Sequence, residues 1–503
     1  MAAVTIHLPD GEHVVAAAPG NLLADVLSAY QPGFAMPCGG QGRCGKCRVL
    51  ATGALSPLTS NETRRLSAEE IARGMRLSCN AAVLGDVHVW LAGRDTAGQI
   101  CASGVEASFA RQPMFTTLGA AVDIGTTTLA AQLYDHTGLL ATASMLNPQM
   151  AFGADVISRI GNALKGRARE LADSIRRGVG ALLEDLCRQV GVSAQALDAL
   201  VITGNTTMLY LLTEVDVTPL SAAPFEIQDY FGRTIPAGAL ELPVLPETPV
   251  YLPRCISAFV GADITTALLA SGLYTRPATA LLADIGTNGE LALWHGGTLY
   301  CCSTAAGPAF EGATLTCGMQ GTTGAVDHVH LQEGSIVCHT IGGAKAAGIC
   351  GSGVADLVAV LKAAGRMDET GYLPEEQVTL ADGVIFTQDD IRQVQLAKSA
   401  IRSGIEALLK TNEIPYEAVA EFAVAGGFGS YLSVESAAAI GLIPPPLADR
   451  CKSIGNAALA GAAMLLRSTP LQAESEAMAA QAKSVDLATS PLFVEQYMEQ
   501  MLF

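Results

Sequence analysis

The stretch LGAAVDIGTTTLAAQLYD, residues 118–135, decides how most of this chain is read. An apolar run ends at Asp123, Gly125 permits a tight turn, and a second apolar run follows. Thr126, Thr127 and Thr128 bring hydroxyls and backbone N–H groups to the turn. Such a hairpin can cradle phosphates, with the aspartate facing a magnesium ion. One copy would be an ordinary strand turn as easily as a site. The design recurs about 160 residues downstream in TALLADIGTNGELALW, residues 279–294, with Asp284 in the place of Asp123. Gly286, Thr287 and Asn288 form its turn. Two copies at matching points of strand–turn–strand segments imply two related halves. A third element, EFAVAGGFGSYLS, ends a strand at Gly426 and Gly427 before a helix. The P-loop pattern G-x4-G-K-[ST] does not occur.

Upstream, Cys38, Cys44, Cys47 and Cys79 follow the spacing C-x5-C-x2-C-x31-C. Three thiols in one Gly-rich loop and a fourth from a distant segment are how a [2Fe–2S] cluster is held. Gly39, Gly40, Gly42 and Gly45 allow the unusual φ values of a loop that aims N–H groups at sulfur. Zinc is the competing reading, but zinc ribbons usually pair two C-x2-C knuckles and only Cys44/Cys47 forms one here. Around the loop, VTIHL, the PDG turn and HVVAA read as a hairpin. A helix at Leu22–Tyr30 capped by Asn21, and strands at CRVLATGAL and DVHVWL, complete the pattern. Residues 91–116 lack periodicity and read as a flexible linker.

Composition bounds the rest. The chain has 503 residues, 50% hydrophobic and 16% charged, enough apolar material for several cores. Its net charge of −18 argues against a nucleic-acid surface, which needs clustered Lys and Arg. No run of 18 apolar residues lacks a charge and no leader pattern opens the chain, so the expectation is a cytoplasmic protein with reduced thiols and no membrane segment. Cys301, Cys302 and Cys350 read as packed residues and Cys101 as a surface residue. His328 and His330 face the same side of a strand, and exposure is favoured there over a metal site. Residues 466–490 read as one surface helix. The final FVEQYMEQMLF is amphipathic, with Phe493, Tyr497, Met498 and Leu502 as anchors.

The N-terminal pattern resembles a β-grasp ferredoxin domain, and the five-residue first spacing resembles the adrenodoxin branch. The two DIGT hairpins with a late AGG resemble the actin, sugar-kinase and heat-shock-protein ATPase superfamily, a two-lobed ribonuclease-H-like fold. That resemblance implies that Asp123 and Asp284 organise Mg²⁺ at the phosphates of ATP. It assigns Gly125 and Thr126–Thr128 to the first phosphate loop and Gly286, Thr287 and Asn288 to the second. Gly426 and Gly427 become the adenosine contact. It also implies an α+β domain at 1–90, a linker at 91–116, ATPase lobes at 117–280 and 281–465, and a helical tail at 466–503.

From end to end the chain resembles the reductive activators of corrinoid-dependent enzymes. NPQMAFGADVISRI, SAFVGADITTALL and the terminal FVEQYMEQMLF carry that likeness with the motifs above. It implies an ATP-dependent iron–sulfur reductase that returns Co(II) of a corrinoid protein to Co(I) for methyl transfer. A ferredoxin or flavoprotein would supply electrons, and a homodimer is compatible with it. A cluster of this type sits at roughly −400 mV or higher, too weak for a typical Co(II)/Co(I) couple. A shortfall of about 100 mV corresponds to about 2–3 kcal/mol, within reach of ATP. Some relatives carry a separate middle domain, and DIGTTT follows the linker too closely to leave room for one. The alternatives are an activator of a non-corrinoid radical or dehydratase enzyme, whose relatives lack a ferredoxin domain, or a redox sensor.

Overall fold

The computed structural model describes residues 1–8, 11–30, 34, 36, 38–42, 44–91 and 101–503. The Pro9–Asp10 part of the expected hairpin turn and residues 92–100 of the expected linker lie outside the described residues. The chain forms two compact units, Met1–Thr96 with Leu146–Ile175, and Ala97–Met145 with Arg176–Phe503. The strip Leu146–Ile175, read from sequence as part of the first ATPase lobe, thus groups with the first unit.

The first unit is built on a five-stranded sheet. Ala2–Leu8 pairs antiparallel with Gly11–Ala17 and parallel with Val83–Trp90, which pairs antiparallel with Arg48–Leu55; Met75–Leu77 closes the far edge. Alternation buries Val4, Ile6, Val87 and Val89 on one face, against Leu23 and Leu27 of the helix Leu23–Tyr30. Asn21 does not cap that helix. Its Oδ1 accepts the backbone N–H of Ala18 instead, which closes the preceding turn. A capping box at Thr59 and Glu62 starts the short helix Ser60–Arg65. Glu62 is wholly buried and takes Arg76 Nε at 2.7 Å and Leu77 N at 3.2 Å. Burial pushes its carboxyl up, but Arg76 and the N–H groups of Thr59 and Leu77 outweigh that and hold it below the usual range. This pair pins the helix to the strand that leads into Cys79.

The second unit contains two six-stranded sheets of the same plan. In one, Gly119–Ile124, Thr128–Tyr134 and Leu139–Leu146 form a meander. Ala199–Gly204 then runs parallel to the first strand, followed by Pro249–Leu252. In the other, Thr279–Ile285, Gly289–His295 and Thr298–Thr304 form the meander. Val419–Ala425 and Cys451–Gly455 are its parallel strands. With the edge strands Arg233–Pro236 and Lys483–Ser484 set aside, the order in both is third-second-first-fourth-fifth. The sequence repeat is therefore a structural one, and both DIGT turns stand at the carboxyl ends of first strands, where α/β sheets place ligands.

Residues 101–116 differ from the flexible linker expected there. Main-chain hydrogen bonds tie Val105 to Ile454, Ala107 to Ala270, Gln112 to Arg467 and Met114 to Leu466. Cys101 is only partly exposed, with Ser430 Oγ 3.4 Å from its sulfur. The tail also differs. In place of one surface helix, Pro470–Gln481 buries Ser475, Met478 and Ala479, and Lys483–Ser484 adds an edge strand to the second sheet. Phe493 and Tyr497 pack on the core, as expected, but Met498 and Leu502 are exposed. Their place is taken by Phe503. Cys301, Cys302 and Cys350 are buried, and His328 and His330 are exposed. No helix among the described residues is long and apolar enough to cross a membrane.

Lys398, on the helix Gln388–Thr411, is 1% exposed. Its ammonium group donates to the Leu502 carbonyl and lies 4.9 Å from the Phe503 ring centroid. Burial, then Arg402 and Lys362, push its pKa down to about 7. Between about 7 and 10.5 the unfolded chain holds a proton that the folded chain does not, so stability rises with pH across that window. Lys398→Met is expected to flatten that slope and to raise stability at pH 8 by roughly 1–3 kcal/mol. Thermal unfolding from pH 7 to 10 measures both; a variant that keeps the wild-type slope excludes Lys398 as its source.

Candidate functional site

Two sites form, one in each unit. In the first, the loop after Met36 turns through Gly39, Gly40, Gly42 and Gly45, all at φ between 60° and 77°. Only glycine adopts such angles without strain. Cys38, Cys47 and Cys79 are buried and Cys44 is partly exposed. The thiols stand as two pairs. Cys47 and Cys79 are in contact at 3.2 Å, and Cys44 is hydrogen-bonded to Cys38. The Cys79 contact pulls Cys47 down to about 6, while Cys79 and Cys44 are pushed up, each chiefly by its partner thiol. Two pairs suit a two-iron centre, in which each iron takes two thiolates, better than one tetrahedral zinc. Asn80 Nδ2 donates to Cys79 Sγ at 3.2 Å.

In the second unit, the two DIGT turns meet over a single carboxylate. Glu311 Oε2 accepts Thr127 Oγ1 at 2.8 Å and Thr287 Oγ1 at 2.5 Å. Gly286 N closes the second turn on Asn288 O at 3.0 Å. Parallel register brings further residues alongside. Gly204 pairs with Ile124, so Asn205 reaches Thr126, its Nδ2 lying 3.1 Å from Oγ1. Ala425 pairs with Asp284, so Gly426 follows directly against that carboxylate. Gly455 pairs with Ala425, and the next residue, Asn456, donates from Nδ2 to Asp123 Oδ2 at 3.0 Å.

The cleft is strongly acidic. Burial, then the Asp284 charge, push Asp123 up to about 7, with Asn456 opposing. Burial and Glu311 push Asp284 up to about 6. Asp263, at the start of the helix Ala262–Ser271, reaches about 8 through burial, Asp284 and Asp123. Glu290, paired across the second hairpin with Asp284, is raised by burial and by Asp263 and Asp284. Carboxylates that crowd one another this way accept a divalent cation readily.

Thus Asp123, Asp284 and the glycine and threonine residues of both turns meet Gly426 in one cleft. Gly427 follows Gly426 at its edge, where an added Cβ would meet nothing within 4 Å. Asp263, Glu290, Glu311, Asn205 and Asn456 were not singled out from sequence. Asn205 and Asn456 each follow a strand end directly, Glu290 is the second residue of a strand, Asp263 the second residue of a helix, and Glu311 lies in the loop after the strand Thr298–Thr304. GNTT, VGADI, GTNGE, GPAFEGA and SIGNAA each set the polar residue in question beside a Gly or Ala. That was the available signal.

Comparison with known proteins gives concordant results. Residues 278–503 match the family described as the C-terminal domain of RACo, the ASKHA domain. Residues 118–276 match the RACo middle region, and 6–84 match a 2Fe-2S iron-sulfur cluster binding domain. The chain is 36% identical over 417 residues to the corrinoid activation enzyme RamQ of Eubacterium limosum, covering 76% of this chain and 70% of the relative. It is 26% identical over 382 residues to the [Co(II) methylated amine-specific corrinoid protein] reductase of Methanosarcina barkeri, covering 68% of each. Among solved structures it is similar to a reductive activator for corrinoid,iron-sulfur protein, at 27% identity and a TM-score of 0.73, over 100% of this chain and 98% of that one. The match to the RACo middle region starts at the first DIGT hairpin and falls on the segment read as the first lobe.

Proposed function

This chain belongs to the family of reductive activators of corrinoid proteins, and we propose that its cysteine loop and its acidic cleft divide that task between them. The chain is an ATP-dependent reductase of corrinoid proteins, with a [2Fe–2S] ferredoxin domain and an ASKHA domain. Cys38 with Cys44, and Cys47 with Cys79, hold the two irons. The bound cluster supplies one-electron chemistry at low potential. The glycine loop keeps the thiols in register and water at a distance.

In the other unit, Asp123 and Asp284 orient Mg²⁺, supported by Asp263 and Glu311. Thr126–Thr128, Gly125, Gly286, Thr287 and Asn288 face the phosphates. Gly426 and Gly427 leave room for adenosine. Glu311 and Asn456 tie the two halves of the cleft together, so nucleotide binding has contacts through which to bias their closure. A ferredoxin or flavoprotein donates the electron, the chain works in the cytoplasm, and a homodimer fits the same scheme.

One observation carries this reading: a paired four-thiol loop and a doubled acidic phosphate cleft occur in one chain. The test mixes the chemically reduced chain with a purified methylamine-type Co(II) corrinoid protein and follows Co(I) absorbance. Co(I) should form quickly only with Mg·ATP. Equal rates without nucleotide exclude the ATP coupling, and no Co(I) in either case excludes the acceptor.

Asn80 has a separate expected effect. An N–H donor to a ligand sulfur favours the more negative, reduced state. Asn80→Ala should lower the midpoint potential by about 40 mV, the one-electron equivalent of about 1 kcal/mol. Spectroelectrochemical titration measures it. An unchanged potential would show that the amide does not act on the cluster.

A further inference from the structure

The charge of this chain is unevenly spread. Overall it holds 30 Lys and Arg against 48 Asp and Glu. Between Cys38 and Asn80 the balance reverses, with seven basic residues against three acidic ones. The fold gathers much of this excess around the cysteine loop. The Arg65 side chain lies over Gly45, 3.5 Å from where a Cβ would stand there. Arg48 donates to the carbonyls of Gly45 and Arg65, each at 2.8 Å. Lys46 is part of the loop itself and partly exposed.

On another side of the loop stands the strip Leu146–Ile175 of the same unit. A Cβ on Gly39 would come within 2.6 Å of Phe152 O and 2.8 Å of Asn162 Nδ2. The Arg167 guanidinium covers the Phe152 ring at 4.6 Å. Arg65 is exposed and Arg167 partly so. Arg48 also pairs with Glu70 at 3.2 Å and Arg167 with Glu170 at 2.8 Å, and with these two carboxylates counted the four basic groups beside the loop still leave a positive excess.

We propose that Lys46, Arg48, Arg65 and Arg167 form a docking collar for an acidic protein surface, that of the corrinoid protein which receives the electron. The inference rests on the acceptor proposed above. A chain of net charge −18 repels an anionic protein over most of its surface. A local positive collar makes the cluster loop the favoured approach, which orients the encounter and shortens the path for the electron. Complementary charge of this kind acts mainly on association and fades with salt. It also gives the acidic composition a use: the remaining surface disfavours docking away from the cluster.

The test has two arms on the full chain. The first oxidises the chemically reduced chain with tris(oxalato)cobaltate(III), a trinegative ion, or hexaamminecobalt(III), a tripositive one. One electron passes to each cobalt ion, giving Co(II), and the visible spectrum follows it. At about 20 mM salt the anion should react faster than at about 500 mM, and the cation slower. Arg65→Glu combined with Arg167→Glu should reverse both trends. A wild-type chain that follows its net charge, with the cation accelerated at low salt, overturns the collar.

The second arm measures binding of a purified methylamine-type Co(II) corrinoid protein by interferometry with Mg·ATP. The double variant should bind about tenfold more weakly at about 20 mM salt, and the gap should close at about 500 mM. The milder Arg65→Gln and Arg167→Gln should fall between, and an unchanged cluster spectrum shows that each variant is folded. Equal binding by wild type and every variant overturns the docking role. A wild type that binds but yields no Co(I) overturns the proposed function instead, and one that does not bind overturns both.

Discussion

Asp123→Ala is expected to remove ATP-dependent Co(I) formation while leaving the [2Fe–2S] spectrum at full strength. Asp123 belongs to the second compact unit and the four thiols to the first, so the substitution leaves the cluster loop intact. The carboxylate faces the phosphate turn and takes the Asn456 amide at 3.0 Å. Its loss removes charge from the proposed cation site and frees the amide that joins the two halves. A fall of about 10²–10³-fold in the ATP-dependent rate corresponds to about 3–4 kcal/mol. Asp123→Asn separates the contributions, because it keeps the volume and can still meet Asn456 but loses the charge. If Asp123→Asn behaves as wild type, charge at this position is not needed and the Mg²⁺ assignment fails. Loss of the cluster spectrum along with activity would indicate a general folding defect.

Gly426→Ala should have an effect of similar size for a different reason. Gly426 has φ +92°, and an added Cβ would stand 2.6 Å from Asp284 Oδ1 and 3.2 Å from Ile285 O. The neighbours are a site carboxylate and fixed backbone, so the clash displaces Asp284 or distorts the turn. A cost of about 1–3 kcal/mol in stability is expected, with ATP affinity reduced at least about tenfold. Gly427→Ala is the informative partner. Its Cβ would meet nothing within 4 Å, so the fold should tolerate it. If adenosine passes against Gly427, ATP binding weakens while the thermal midpoint of the nucleotide-free chain stays at the wild-type value. Calorimetric titration with ATP and thermal unfolding read the two quantities. Gly427→Ala that binds ATP as wild type does would remove adenosine from this position.

Much of the architecture was legible before any coordinates. Four cysteines at fixed spacing, two DIGT turns and one AGG each need their residue types for local reasons: thiolates for iron, glycine for positive φ or close approach, aspartate at a strand end. Such requirements are written in short windows, and a repeated window also reveals the doubled sheet. The ends of elements were less legible. Asn21 looks like a helix cap but satisfies the nearer Ala18 N–H. Met498 and Leu502 fit an amphipathic pattern but face outward, because Phe503 takes their place against the core and stacks on Lys398. A short helix with several apolar residues has more than one way to bury them, and the surface it meets decides.

The local chemistry of both sites was therefore settled by the order of residues along the chain. Their composition was settled only by the fold. Asn205 and Asn456 reach the cleft because parallel strands in register bring separate strand ends side by side, while Asp263 arrives from a helix start, Glu311 from a loop and Glu290 from across the second hairpin. Register between distant strands leaves no mark in any short window, and one polar residue in a Gly-rich turn has no periodicity to betray it. The same holds for Arg167, which stands near the cysteine loop only because Phe152 and Asn162 pack at Gly39. Spacing named the ligands, whereas long-range pairing chose their neighbours, and with them the charge that each site presents.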